Sequence, residues 1–127
     1  THCTEKISEK FPITLSYQDI KQYAAQGRYG DVCIDGPMDV KTACDAESGA
    51  IKGIASPVVG NADILLFPDI EAGNTFYKTI TYFAHATVTG MLAGTTAPVV
   101  VTSRADSAES KFYSLAVACM RAVKSEK

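Results

Sequence analysis

"PVVVTSRADSAESKFYSLAVACMRAV", residues 98–123, changes its period abruptly. Three consecutive valines read as a buried strand, and from Phe112 onward apolar residues return at helical spacing. Ser103 and Arg104 sit at the junction, where a plain turn needs neither. A strand that feeds a helix in this way is the repeating unit of an α/β fold. The rest of the chain repeats the alternation.

Upstream, "PITLSYQDIKQYAAQGR" (12–28) reads as a helix. Ser16 and Asp19 have capping-box-like spacing, Leu15 and Ile20 the spacing of a staple. Ile20, Tyr23 and Ala24 form its stripe, and Gly27 stops it. "DVCID" (31–35) reads as a short strand, Gly36-Pro37 as a turn, and 39–48 as a helix ended by Gly49. Residues 50–60 read as a loop. "ADILLFP" (62–68) has the continuous apolar character of a strand covered on both faces. A helix over 75–84 follows, with Phe76, Ile80 and Phe83 at core spacing, then strands over 87–94 and 98–103. The last helix places Phe112, Leu115, Ala116, Cys119 and Val123 on one face. Together these predict a three-layer α/β/α arrangement.

The 127 residues suit one compact domain, able to bury roughly two-thirds of the surface exposed on unfolding. With 46% apolar and 20% charged residues, disorder is not expected. A net charge of −2 gives no general attraction to nucleic acid or anionic membrane, and no apolar run is long enough for a bilayer span. None of the four cysteines forms a CxxC pair, so they read as buried, reduced thiols of a cytoplasmic protein. His2 and His85 are isolated from other ligand-type residues, so no metal site is expected.

In α/β folds, ligands gather where strands end and helices begin. Three junctions qualify: Asp35-Gly36-Pro37, the stretch 68–78 and the stretch 102–109. In the last, Asp106 and Glu109 have capping-box spacing, and Ser107 is an alternative cap. Arg104 at the strand end suits a phosphate or a developing oxyanion, or else a surface ion pair with Asp106 or Glu109. In the second junction Gly73 supplies backbone freedom and Asn74 an N-cap; alternatively, Asn74 and Lys78 reach a ligand from the helix's opening turn. Asp35 has a turn role or a substrate-contacting one.

Three segments, "IDGPMDV", "ADILLFPDIEAGNTFYK" and "APVVVTSRADSAESKFYSLAVA", in this order, resemble the phosphate acetyl/butyryl-transferase family, nearest its butyryl-transferring branch. The resemblance covers less than half of a full-length member. With Thr rather than Met at position 1, the chain reads as a piece of a longer protein. The resemblance implies a two-domain fold like that of isocitrate and isopropylmalate dehydrogenases, with the active site between domains. Residues 1–101 would be the second α/β domain, its first strand region truncated. Residues 102–127 would be a cleft-lining segment and a helix returning to the first domain.

The implied activity moves a butyryl or similar short acyl group between coenzyme A and inorganic phosphate. Coenzyme A is a substrate, no cofactor is tightly bound, and the protein is a cytoplasmic homodimer acting on acyl-CoA or CoA and on phosphate or acyl phosphate. Ser103 and Arg104 would be the family's cleft-lining pair, with Asp106 and Glu109 as catalytic candidates and Asn74, Lys78 and Asp35 as substrate contacts. The acetyl-transferring branch carries an aspartate six residues after the arginine, where this chain has Ser110, so the base for the CoA thiol is open. By itself the piece is not expected to be a competent catalyst. Two other readings stand beside it: a non-catalytic dimerisation or CoA-binding module, and part of an isocitrate-dehydrogenase-like oxidoreductase.

Overall fold

The computed structural model describes residues 1–125, with side chains through 122. The chain divides into two compact units, residues 1–74 and the part from Thr75 onward.

The first unit opens with α1 (Ile13–Ala25), which starts earlier than its sequence signals imply. The N-cap is Pro12, with no side-chain cap, and Ser16 and Asp19 lie inside the helix. Thr14 replaces the expected cap. Its fully buried hydroxyl donates to Phe11 O at 2.7 Å and accepts the Ser8 N–H at 2.9 Å, tying the first turn to the chain before it. The buried face is Thr14 and Tyr17, with Ile20 and Ala24 half-buried and Tyr23 outside. Gly27 stops the helix as expected. At φ 74° it lets Gly27 N–H reach Ala24 O and Arg28 N–H reach Tyr23 O, the nested pair of a Schellman motif.

Residues 39–48 do not form one helix. Two short ones stand there, α2 (Val40–Cys44) and α3 (Ala46–Lys52). Asp39 caps α2 by accepting the Thr42 N–H at 2.7 Å, and Asp45 caps α3 by accepting the Glu47 N–H at 3.1 Å. Gly49 is interior to α3 and Gly53, at φ 67°, is the stop, so 50–52 belong to a helix rather than a loop. Gly49 lacks a side chain for a packing reason: a Cβ there would lie 2.0 Å from Val59 Cγ1. Gly60 is more constrained still. It has φ 71°, donates to Thr42 O at 3.2 Å, and a Cβ would come within 2.5 Å of the Ala46 backbone nitrogen.

The helix expected over 75–84 runs further back, as α4 (Ile70–Phe83). Asp69 caps it by accepting the Ala72 N–H at 2.7 Å, so neither Asn74 as cap nor Gly73 as a backbone special is needed. Phe76 and Ile80 are half-buried, whereas Phe83 is exposed. His85, with φ 51°, adopts the left-handed backbone just past the helix end, a terminator's conformation. In the second unit Leu92 and Val99 meet in one antiparallel bridge, Leu92 N–H donating to Val99 O at 2.9 Å. The chain then enters α5 (Ala108–Ser125).

Several further expectations are corrected. The stretches 31–35, 62–68, 87–94 and 98–103 form no β-ladder; among the described residues β pairing is confined to isolated bridges, Ser8 with Phe11 and Leu92 with Val99. The stretch 62–68 is not covered on both faces, since Ile64 is 85% and Leu66 57% exposed, and a parallel strand of this kind needs neighbours on either side. Likewise α5 does not bury Phe112, Leu115 or Cys119. Ser114 is fully buried and accepts the Gly90 N–H at 3.0 Å, and Ser110, Lys111, Ala116, Ala118 and Ala122 are half-buried, so of the expected stripe Ala116 is partly covered. The side chain of Val123 lies outside the described residues. All four cysteines are free and exposed rather than buried. No helix among the described residues is long and apolar enough to cross a membrane.

Two measurements check this packing. Gly60→Ala adds a backbone collision to left-handed strain, whereas Gly27→Ala adds strain alone, because nothing lies within 4 Å of its would-be Cβ. The expected cost in urea unfolding is about 1–2 kcal/mol for Gly27→Ala, and distinctly more for Gly60→Ala. Equal costs would mean that the close approach to Ala46 is misjudged.

The second concerns Asp39. Lys52 beside it, aided by the Thr42 N–H, holds its carboxyl at about 2, below the ordinary 3.8. A depressed carboxylate stabilises the fold in full above pH 3.8 and loses that contribution as pH falls toward 2. Acid titration of unfolding should therefore show a smaller loss between those limits in Asp39→Asn than in the parent chain.

Candidate active site

Residues 103–106 form a turn that Asp106 closes twice. Its N–H donates to Ser103 O at 3.1 Å, and its carboxylate Oδ2 accepts the Ser103 N–H at 2.7 Å. Arg104 and Ala105 are the central residues. Ser107 then caps α5, its Oγ accepting the Ser110 N–H at 3.0 Å. Of the two caps the sequence allows, Ser107 is the one used, which releases Asp106 for the turn. Glu109 lies exposed in the first turn of α5.

From α4, Tyr77 and Lys78 meet this turn. The Tyr77 hydroxyl donates to Asp106 Oδ1 in a short bond. Lys78 Nζ donates to Ser103 Oγ at 3.1 Å, stands 3.9 Å from Asp106 Oδ1 and lies 4.2 Å from the centroid of the Tyr77 ring. Ser103 Oγ also accepts the Ala105 N–H at 3.4 Å. A hydroxyl that accepts twice keeps its own proton for a third partner. Ser103 Oγ thus keeps its own proton free for a further partner, and among the described residues no base accepts it.

The charges follow from these bonds. The Tyr77 hydroxyl, ahead of the Ser103 N–H and the nearby lysines 78 and 111, holds the Asp106 carboxyl below its usual range against a smaller opposing effect of burial. The same bond, with burial second, pushes the Tyr77 phenol up to about 12. Both partners report one interaction: a phenol that keeps its proton facing a carboxylate that stays ionised. A carboxylate held this way is a weak proton acceptor, which suits positioning more than general-base work. Arg104 is exposed and, among the described residues, pairs with neither Asp106 nor Glu109. The surface-ion-pair reading of Arg104 is therefore not realised among the described residues.

Of the residues singled out in the sequence, the structure brings together Ser103, Lys78 and Asp106, with Arg104 on the same turn. Asn74 stands four residues before Lys78 on α4, exposed and past the cap position. Asp35 lies in the first unit. There, burial raises its carboxyl, but bonds from Lys21, Ser56 and the Gly36 N–H outweigh burial and leave it lowered. Sequence reasoning misses Tyr77. It sits between Phe76 and Lys78 in an amphipathic pattern, where a tyrosine reads as packing. Only the partner 29 residues on gives it a role.

With this geometry in view, the comparisons are specific. The model of the phosphate acetyl/butaryl transferase family matches residues 4–119. The chain belongs to that family. It is 43% identical over 114 residues to a probable phosphate butyryltransferase of Bacillus subtilis, and 42% identical over 116 residues to a phosphate butyryltransferase of Clostridium acetobutylicum. These alignments cover 90% and 91% of this chain but 38% of each relative, so the chain spans well under half of their length. The crystal structure of a branched-chain phosphotransacylase from Enterococcus faecalis V583 is similar in fold, with a TM-score of 0.79 at 39% identity. That match covers 92% of this chain and 43% of the other. The fold is therefore that of an α/β acyltransferase. Family and relatives alike are named for acyl and phosphate transfer, and the oxidoreductase reading is set aside.

The coupled Tyr77–Asp106 pair is open to spectroscopic titration. Subtracting the Tyr77→Phe spectrum from that of the parent isolates one phenol among the six tyrosines. Its tyrosinate absorbance should rise near pH 12 and be nearly absent at pH 10. A midpoint at the ordinary value of 10.0 would mean that the hydroxyl does not face the carboxylate.

Proposed function

We propose that the protein containing this chain transfers a short acyl group, butyryl or similar, between coenzyme A and inorganic phosphate. The observation that carries this reading is the 103–106 turn. Ser103 Oγ accepts there from the Lys78 ammonium of α4 at 3.1 Å, and the exposed Arg104 is the next residue of the turn. Such a set suits a phosphoryl group or a developing oxyanion, because charged and paired donors are strongest toward anions.

In the direction from acyl phosphate, the CoA thiolate attacks the acyl carbonyl carbon. A C–S bond forms, the C–O bond to phosphate breaks, and the electron pair leaves with phosphate. Arg104 holds the phosphate oxygens, and Ser103 donates to them or to the carbonyl oxygen as it gains charge. Lys78 keeps Ser103 oriented and adds positive potential. Asp106 fixes the turn. The thiol proton then falls to Glu109, an exposed carboxylate on α5 with no competing capping duty. Asn74 and Asp35 are further substrate contacts, Asp35 after exchanging Lys21 for the ligand.

The rest of the reading is family-level. The architecture is a three-layer, dehydrogenase-like second domain over 1–101, followed by a cleft-lining segment and returning helix over 102–127. The protein works as a cytoplasmic homodimer with no tightly bound cofactor, and these residues alone fall short of a complete catalyst.

The test is thiol-dependent consumption of butyryl phosphate by the protein that contains these residues, with free CoA as acceptor. Arg104→Ala should slow it at least about 100-fold, since one lost oxyanion donor typically costs about 2.7–4 kcal/mol. Parent-level activity in that variant would remove Arg104 from the chemistry.

A further inference from the structure

We infer that Tyr77 is a positioning residue, which holds the Ser103–Arg104 turn in its anion-presenting form through Asp106 without touching a ligand itself. Asp106 Oδ2 takes the Ser103 N–H at 2.7 Å, while Oδ1 takes the Tyr77 hydroxyl. Lys78 Nζ stands 3.9 Å from the same Oδ1. Without the phenol the carboxylate gains most by swinging toward the ammonium to make a close ion pair. That swing withdraws Oδ2 from the Ser103 N–H. It also draws Lys78 away from Ser103 Oγ, to which it now donates at 3.1 Å. Two of the four contacts that orient Ser103 thus fail together, leaving the Asp106 N–H to Ser103 O bond and the weaker Ala105 N–H contact, and Arg104, the next residue in the turn, loses its fixed starting point. The Tyr77 ring supports the same arrangement from below, with Lys78 Nζ 4.2 Å from its centroid. One hydroxyl therefore decides whether the lysine serves Ser103 or neutralises Asp106.

The effect on turnover rests on the acyl-transfer reading; the effect on the turn does not. Hydrogen exchange at the Ser103 amide reads the turn directly. In Tyr77→Phe it should rise about tenfold or more, as expected for losing a bond to a charged group. Unchanged exchange would overturn the inference. In kinetics, Tyr77→Phe should lower kcat/KM for acyl phosphate about tenfold, with part of the loss in kcat, because Ser103 and Arg104 act on developing charge. In an Asp106→Asn background, adding Tyr77→Phe should cost nothing more. A full additional loss there would show that the tyrosine acts independently of Asp106 and would also overturn it. If Tyr77→Phe does not fold, Asp106→Asn keeps the question open to an answer, because Ser103 exchange must rise in it as well. Faster exchange in a parent protein that shows no acyl transfer would leave the positioning role standing and defeat only the acyl-transfer reading.

Discussion

The Asp106 carboxylate has two oxygens with different duties. One closes a turn onto the Ser103 backbone, and the other receives a phenol from a separate helix. Most of what is distinctive in the second unit depends on that division. It holds the Ser103 N–H, and it leaves Lys78 hydrogen-bonded to the serine while standing 3.9 Å from the aspartate. Electrostatics alone would not choose this arrangement. An aspartate beside a lysine and an arginine would ordinarily bind one of them closely, and the neutral phenol is what satisfies it instead.

The first unit relies on the same kind of chemistry for its architecture. Buried side chains among the described residues include Thr14, Thr42 and Ser48 alongside Tyr17, Met38 and Ala43. Thr14 staples the start of α1, Asp39 and Asp45 start α2 and α3, and Lys52 bridges Asp39 to Glu5. Hydrogen bonds from short polar side chains hold elements that are too brief to be stable by themselves. The apolar residues of 62–68 and of the outer face of α5 contribute little burial here. The relatives are more than twice as long and have further chain with which to cover the equivalent positions.

How much of this is legible in the sequence differs by element. Helix ends set by glycine are readable where conformation is the cause, as at Gly27. They mislead at Gly49, where the cause is Val59 from ten residues away. Asp39 and Asp45 are ordinary capping residues, yet nothing local says that two caps six residues apart divide what reads as one helix into two. The strands fail for a related reason. Their composition expresses a preference for cover, and cover is supplied by other parts of a chain. At the site, Ser103, Arg104 and Lys78 stand out because a turn and a helix start do not require them. Asp106 is visible but reads as a cap, and Tyr77 is invisible because its meaning lies wholly in its distant partner.

The small residues along α5 carry a mechanical implication. Ser114, fully buried, brings the helix to the loop at Gly90 by accepting that loop's amide N–H, with the small Ser110 and Ala118 half-buried one turn to either side. Through Ser107, which caps α5, the same helix adjoins the turn that bears Arg104. Bulk in place of Ser114 would push α5 off the Gly90 loop and shift the turn at its start, so where that turn sits depends on a residue outside it.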